Sequence, residues 1–389
     1  MKKILLILTI ILASVAKAHC QPNLIVSSGV GVKDSTTNSK LITTLAAFLD
    51  NIDRDNPNDA LIAPKDKVQT QDLMDEIRGI QKSRKYKNDH FYKPYLTNIV
   101  QRTDTTFLIQ FSYIGVADSS AILRASFNFI GYLSHTDGCS FGSPITSNTQ
   151  YWKTKKMGMI NFHYRDALDI TGANKFSSYI SLYNQKLGNH PQIEYYICND
   201  ATDALQLLGV TYKSDYNGRT MLTLSSSYMN ISVMVASNEK GHIAFDPHDL
   251  WHACLHKVIP VDTINRPVDE GCAYLYGGSW GISWKDIYKT FRQKLCTNRD
   301  ADWLDLYERS YNFSDDKEKD LVVGYVINAL IVQKLEKEKG FTAVESLLAC
   351  GKYQKGDKNY FAALNKVAGI SKQNFNTEVW KLIDQENDK

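Results

Sequence analysis

Charge of one sign, a cysteine framework, long apolar runs and low-complexity tracts are all missing from this 389-residue chain. Its 45 Lys+Arg stand against 42 Asp+Glu, a formal charge of +3. Three of those cations, Lys2, Lys3 and Lys17, fall in an N-terminal segment that reads as removable, and without them the count is 42 against 42. A balanced chain offers no long-range field to nucleic acid or to an anionic bilayer, so neither is expected as a partner. None of the seven cysteines forms a Cys-x-x-Cys pair, which removes the zinc ribbon and the thioredoxin-type site. With 9 Pro, 22 Gly, 43% hydrophobic and 11% aromatic residues, the chain is neither collagen-like nor disordered. Gly29-Val30-Gly31 lacks the third glycine of a phosphate loop. Past the N-terminus, no segment approaches the roughly 20 apolar residues of a membrane helix, so no transmembrane segment is expected.

What is present begins with an export signal. Lys2 and Lys3 supply a basic start, Ile4 to Ala16 a short apolar stretch, and Ala16-Lys17-Ala18 a small-x-small cleavage site. Residues 1–18 are therefore expected to be a signal peptide, and the mature protein to be exported, periplasmic or secreted. Cys20 follows Lys17-Ala18-His19, a poor lipobox, so lipid anchoring there is the less favoured outcome. An oxidising compartment permits disulfides; the remaining six cysteines allow 15 full pairings, and nothing in the sequence chooses between buried thiols and one or two bridges.

Hydrophobic periodicity divides the rest. Leu41, Ile42, Leu45, Phe48, Leu49 and Ile52 recur at helical spacing, whereas Thr106 to Ile114 and Ile122 to Leu133 are rich in aromatic and β-branched residues. Residues 22–150 are expected to form a small α+β domain with an antiparallel sheet, with no catalytic pattern in it. Beyond Trp152 the pattern alternates: strands at Met159 to Tyr164, Gln192 to Cys198 and Ile231 to Ala236, helices at Ala173 to Leu187 and Asp200 to Leu208, then mainly helix to the end. The charge run Asp315 to Asp320 reads as a solvated loop or a helix start.

Four of nine histidines, His242, His248, His252 and His256, fall within fifteen residues. Asp246 is a good N-cap and Pro247 suits the first helical position, so His248 and His252 should stand one turn apart on one helix face. That arrangement suits two zinc ligands. Chance alone gives roughly 0.2 His-x-x-x-His pairs at this composition, so the spacing needs support. Support comes from Asp269-Glu270-Gly271-Cys272-Ala273, which begins 17 residues after His252. A carboxylate there completes a two-histidine, one-carboxylate set and leaves a fourth position for water.

His248-Asp249-Leu250-Trp251-His252 followed by Asp269-Glu270-Gly271-Cys272-Ala273 resembles the gluzincin metallopeptidase pattern, His-Glu-x-x-His with a downstream Asn/Asp-Glu-Gly-x-Ala. The order of apolar segments from Gly324-Tyr325 to Trp380 resembles the C-terminal half of the peptidase MA-like branch of that family. The resemblance covers residues 157–385 and implies a thermolysin-like catalytic domain: an α+β fold with a mixed sheet and a helical C-terminal half. It implies zinc as cofactor, with His248, His252 and Glu270 as ligands. It puts Asp249 in the place of the general base that activates the attacking water, and makes Tyr325 a candidate for oxyanion stabilisation. Packing within an apolar helix is the alternative for Tyr325. The resemblance also implies that Ile231 to Ala236 is the edge strand onto which an extended peptide substrate adds. Asp249 is one methylene shorter than the usual Glu, and a base must come within about 2.6–3.2 Å of its water. Two functions therefore stay open: an exported zinc metallopeptidase, or a weakly active or inactive peptidase-fold module that binds peptides or a surface. The Gly-x-Met-Glu-Asn segment of related aminopeptidases is absent before the histidines, so N-terminal trimming is not expected.

Overall fold

The computed structural model describes residues 24–387 except 55–57, 135–137, 229, 239–241, 298 and 353. The expected signal peptide, residues 1–18, and Cys20 lie outside the described residues. The fold is α+β with mixed sheets, and the chain divides into two compact units. The first unit takes residues up to Lys156, then Ile160–Ala167 and Gln192–Gly241; the second takes Met157–Met159, Leu168–Pro191 and His242–Lys389.

Two sheets belong to the first unit. One is six-stranded: β1 (Ile25–Val26), β2 (Lys93–Gln101), β3 (Thr106–Ala117), β4 (Ser120–Ser134) and β5 (Gly138–Gly142) lie in that order, and β9 (Val210–Lys213) pairs with β4. Only β1–β2 is parallel. The aromatic and β-branched runs noted in the sequence become the long β3 and β4. Their inward residues Phe107, Phe111, Phe127 and Phe129 are buried with Phe48 from α1 (Ser35–Ile52). Phe48 meets Phe129 edge-on at 5.0 Å, and Phe111 stacks on Phe129 at 5.7 Å. Each such ring contributes about 1.5–3 kcal/mol by burial.

In the second sheet, β6 (Lys153–Met157), β7 (Ile160–Tyr164), β8 (Gln192–Cys198), β11 (Ile231–Ser237) and β10 (Thr223–Tyr228) are neighbours in that order. β7–β8 and β8–β11 are parallel, and β10–β11 is antiparallel. This corrects one expectation. Ile231 to Ala236 is not an edge strand, because β10 pairs along its whole length, Thr223↔Ala236 to Tyr228↔Ile231. Its ladder groups are taken on both sides, so no peptide can add there. The core of this unit also takes in Cys198, Leu207, Leu208, Val210, Val233 and Val235. It draws α2 (Lys67–Ile77), the short α3 (Ile145–Asn148) and α5 (Ala201–Leu208) around the two sheets.

The second unit is helical. α4 (Ile170–Leu187) starts at Asp169, whose side chain accepts from Gly172 N, and stops at the left-handed Gly188. α6 (Pro247–Leu255), α7 (Arg266–Gly277), α8 (Trp284–Leu295), α9 (Trp303–Glu308), α10 (Val323–Lys339), α11 (Phe341–Leu348), α12 (Lys358–Ala368) and α13 (Phe375–Asn387) follow. Most of α10 from Val323 to Leu335 is buried, which makes it the central helix against which α7 and α13 pack. The charge run before it is a loop. No described helix is long and apolar enough to cross a membrane. Cys139, Cys198, Cys254, Cys272, Cys296 and Cys350 are all free, the first four buried.

Candidate metal centre

α6 forms as its sequence dictates. The Asp246 side chain accepts from His248 N at 2.9 Å, and Pro247 occupies the first turn. His248 and His252 then share one face, with ring centroids 4.8 Å apart. α7 brings Glu270 beside them. It can approach because position 271 is glycine: a Cβ there would lie 2.6 Å from Asn328 Cβ and 2.9 Å from Ala329 N on α10. At the far end of α7, Gly278 adopts φ 79°, ψ −156°, a conformation open essentially only to glycine. Its carbonyl thereby faces His248.

The donor atoms converge. His248 Nε2 is 3.1 Å from His252 Nε2 and 3.4 Å from Glu270 Oε2, and His252 Nε2 is 4.0 Å from that oxygen. Ligand atoms 2.0–2.1 Å from a tetrahedral zinc stand about 3.3 Å apart, so the spacing fits. The opposite ring edges are tied down. His248 Nδ1 donates to Gly278 O at 2.8 Å and His252 Nδ1 to Asp269 Oδ1 at 2.9 Å. With both protons on Nδ1, both Nε2 atoms present lone pairs to the same point as a carboxylate oxygen. Three acceptors facing one another suit a cation and little else.

The electrostatics agree. Burial alone would depress the His248 imidazole, yet the Glu270 carboxylate and the Gly278 carbonyl hold it above its ordinary value. Burial would raise Glu270, but His248, His252 and Arg266 hold its carboxyl below the usual range. The cluster thus draws positive charge to its centre. Arg266, one turn before Glu270, places Nε 3.4 Å from the other carboxylate oxygen, Oε1. No pattern in the sequence pointed to Arg266, since an exposed arginine at a helix start is ordinary.

A cavity of about 330 Å³ opens beside the three donors, lined by Asp249, Arg266, Tyr274, Trp280 and Tyr325 among others. Asp249 is exposed on the first turn of α6, and its side chain makes no hydrogen bond to a described residue. Tyr325 is half-buried, its ring edge-on to Tyr274 at 5.5 Å, and burial followed by the Glu270 charge raises its phenol. The five residues singled out from the sequence, His248, His252, Glu270, Asp249 and Tyr325, are therefore brought together. His242 stands apart, 81% exposed and paired with Asp169 at 2.8 Å. His256 lies on the other side of His252, its Nε2 3.9 Å from Asp269 Oδ2. His252, His256 and Asp269 form a second group of close donor atoms. His252 Nδ1, however, already donates to Asp269 within it. Comparison of the chain with protein families, with curated proteins and with solved structures returns no match.

Proposed function

We propose that this chain is an exported zinc metallopeptidase of gluzincin type, with a thermolysin-like arrangement around His248, His252 and Glu270. The observation that carries the reading is the meeting of three lone-pair donors whose imidazoles are each fixed from behind. Zinc held there supplies Lewis acidity toward a scissile carbonyl and lowers the pKa of water. The chain's own groups do the rest. Asp249 opens onto the cavity with a free carboxylate and takes the proton of the attacking water. Tyr325 presents its hydroxyl, kept protonated by burial and by Glu270, as a donor to the developing oxyanion. The substrate class is peptide or protein.

The experiment is the zinc content of the purified mature protein beside His252→Ala. About one zinc per chain, lost in the variant, is the expected result. Full occupancy in His252→Ala would remove His252 as a ligand. One observation favours a second reading, a peptidase-fold module that binds peptides without cleaving them: the carboxylate beside the donors is the short Asp249. Casein hydrolysis with and without a chelator separates the two, since chelator-sensitive cleavage belongs only to the enzyme.

A further inference from the structure

Behind His252 the chain places a residue that nothing in the zinc reading requires. Trp251 is fully buried, and its Nε1 donates to Asp269 Oδ1 at 3.0 Å. The same oxygen accepts from His252 Nδ1 at 2.9 Å. One carboxylate oxygen thus receives two N–H groups from neighbouring residues of α6, while Oδ2 looks toward His256 at 3.9 Å. The indole itself is fixed, edge-on to Tyr183 at 5.4 Å and packed on Tyr276 at 5.0 Å.

We propose that Trp251 is a positioning residue for the metal centre: its indole N–H holds Asp269 in the rotamer that directs Oδ1 at His252 and away from His256. The argument is one of competing partners. Asp269 stands between two imidazoles, and His252, which it bonds, belongs to both close donor groups in this unit. A carboxylate is free to turn about its Cβ–Cγ bond unless its oxygens are engaged. With Oδ1 bonded to a rigid buried indole, that rotation is blocked. His252 then keeps its proton on Nδ1, and Nε2 is left to face His248 and Glu270. Without the indole N–H, Asp269 is shared between His252 and His256, and the competing group at His252 Nδ1 opens. Trp251 therefore selects one of two overlapping donor sets. This inference rests on the zinc reading for its metal readout only.

Trp251→Phe removes the N–H and keeps an aromatic ring. Benzothienylalanine at position 251 keeps the bicyclic shape as well and covers the case in which Phe disturbs packing. Two quantities are measured on the full chain: zinc affinity by chelator competition, and the imidazole nitrogen chemical shifts of His252 without metal, which report the nitrogen that carries the proton. Both variants are expected to bind zinc about tenfold more weakly, at the low end of the effect of groups that orient a ligand. In both, His252 is expected to lose the pure Nδ1–H form, while His256→Ala in the wild-type background changes neither quantity. Wild-type shifts together with wild-type affinity in the benzothienylalanine protein would overturn the proposal. If the wild-type chain takes up no zinc, the functional reading fails instead, and the nitrogen shifts still decide the role of Trp251.

Discussion

Replacing Gly271 by alanine adds one methyl group where α7 meets α10. Its Cβ would stand 2.6 Å from Asn328 Cβ and 2.9 Å from both Ala329 N and Asn328 C. Carbon atoms rest at about 3.5–4.0 Å, so the helices must part by about 1 Å. No rotamer relieves the contact, because its atoms are main chain and Cβ. Nor is Asn328 free to yield: its Nδ2 donates to Gly324 O at 2.8 Å and its Oδ1 accepts from Tyr360 at 2.9 Å. Overpacking costs about 1–3 kcal/mol, and a clash with main chain belongs at the upper end. The higher helix propensity of alanine returns about 1 kcal/mol. A net loss of about 2 kcal/mol lowers Tm by about 4–8 °C in a unit of roughly 150–250 residues. Thermal unfolding followed by circular dichroism measures it. Zinc affinity should fall with Tm, since Asp269 and Glu270 ride on the same turn. A Tm within about 1 °C of wild type would refute the claim that glycine sets this helix approach.

Asp249→Ala is expected to keep zinc and to lose at least about 10²-fold in peptide hydrolysis, the lower end of a general base's contribution; a casein-cleavage rate equal to wild type would take Asp249 out of that role. Asp169 caps α4 with its carboxyl held below the ordinary 3.8, first by the Gly172 N–H and then by His242. A depressed carboxyl contributes its stability above the ordinary value and loses it as pH falls through the lowered one. Asp169→Ala should therefore cost about 1 kcal/mol near neutrality and less in strong acid, where only the neutral carboxyl caps, read as a Tm difference that narrows on acidification. A difference undiminished at low pH would contradict the capping account.

The candidate metal centre was legible because its parts are local. The Asp246-Pro247 start fixes the phase of α6, and phase alone puts His248 and His252 on one face. Glu270 was found by its place in a short motif. What escaped was non-local or carried by the main chain. The Gly278 carbonyl that orients His248 has no side-chain signal, and neither Arg266 nor the indole bond from Trp251 to Asp269 leaves a periodic trace. Tyr325 faces the cavity from a helix whose sequence is apolar nearly all round, so its exposure could not be read from its neighbours. The edge strand was misplaced for a similar reason. Thr223–Tyr228 contains three consecutive serines and looks like a loop, yet each of its six residues pairs with β11 and makes it the outer strand. Composition suggested a boundary near residue 150, whereas the compact units exchange the chain several times after it.

The short return strand β9 has a consequence for how the protein is made. Phe127 and Ser126 on β4 find partners in Val210 and Tyr212, which emerge from the ribosome more than eighty residues later. Until then part of one side of β4 has open N–H and C=O groups above a half-built aromatic core. Residues 24–150, released alone by a protease or by premature termination, would carry that open edge permanently, and an open edge recruits other strands. The nascent chain must therefore wait for about residue 240 before its first unit can close.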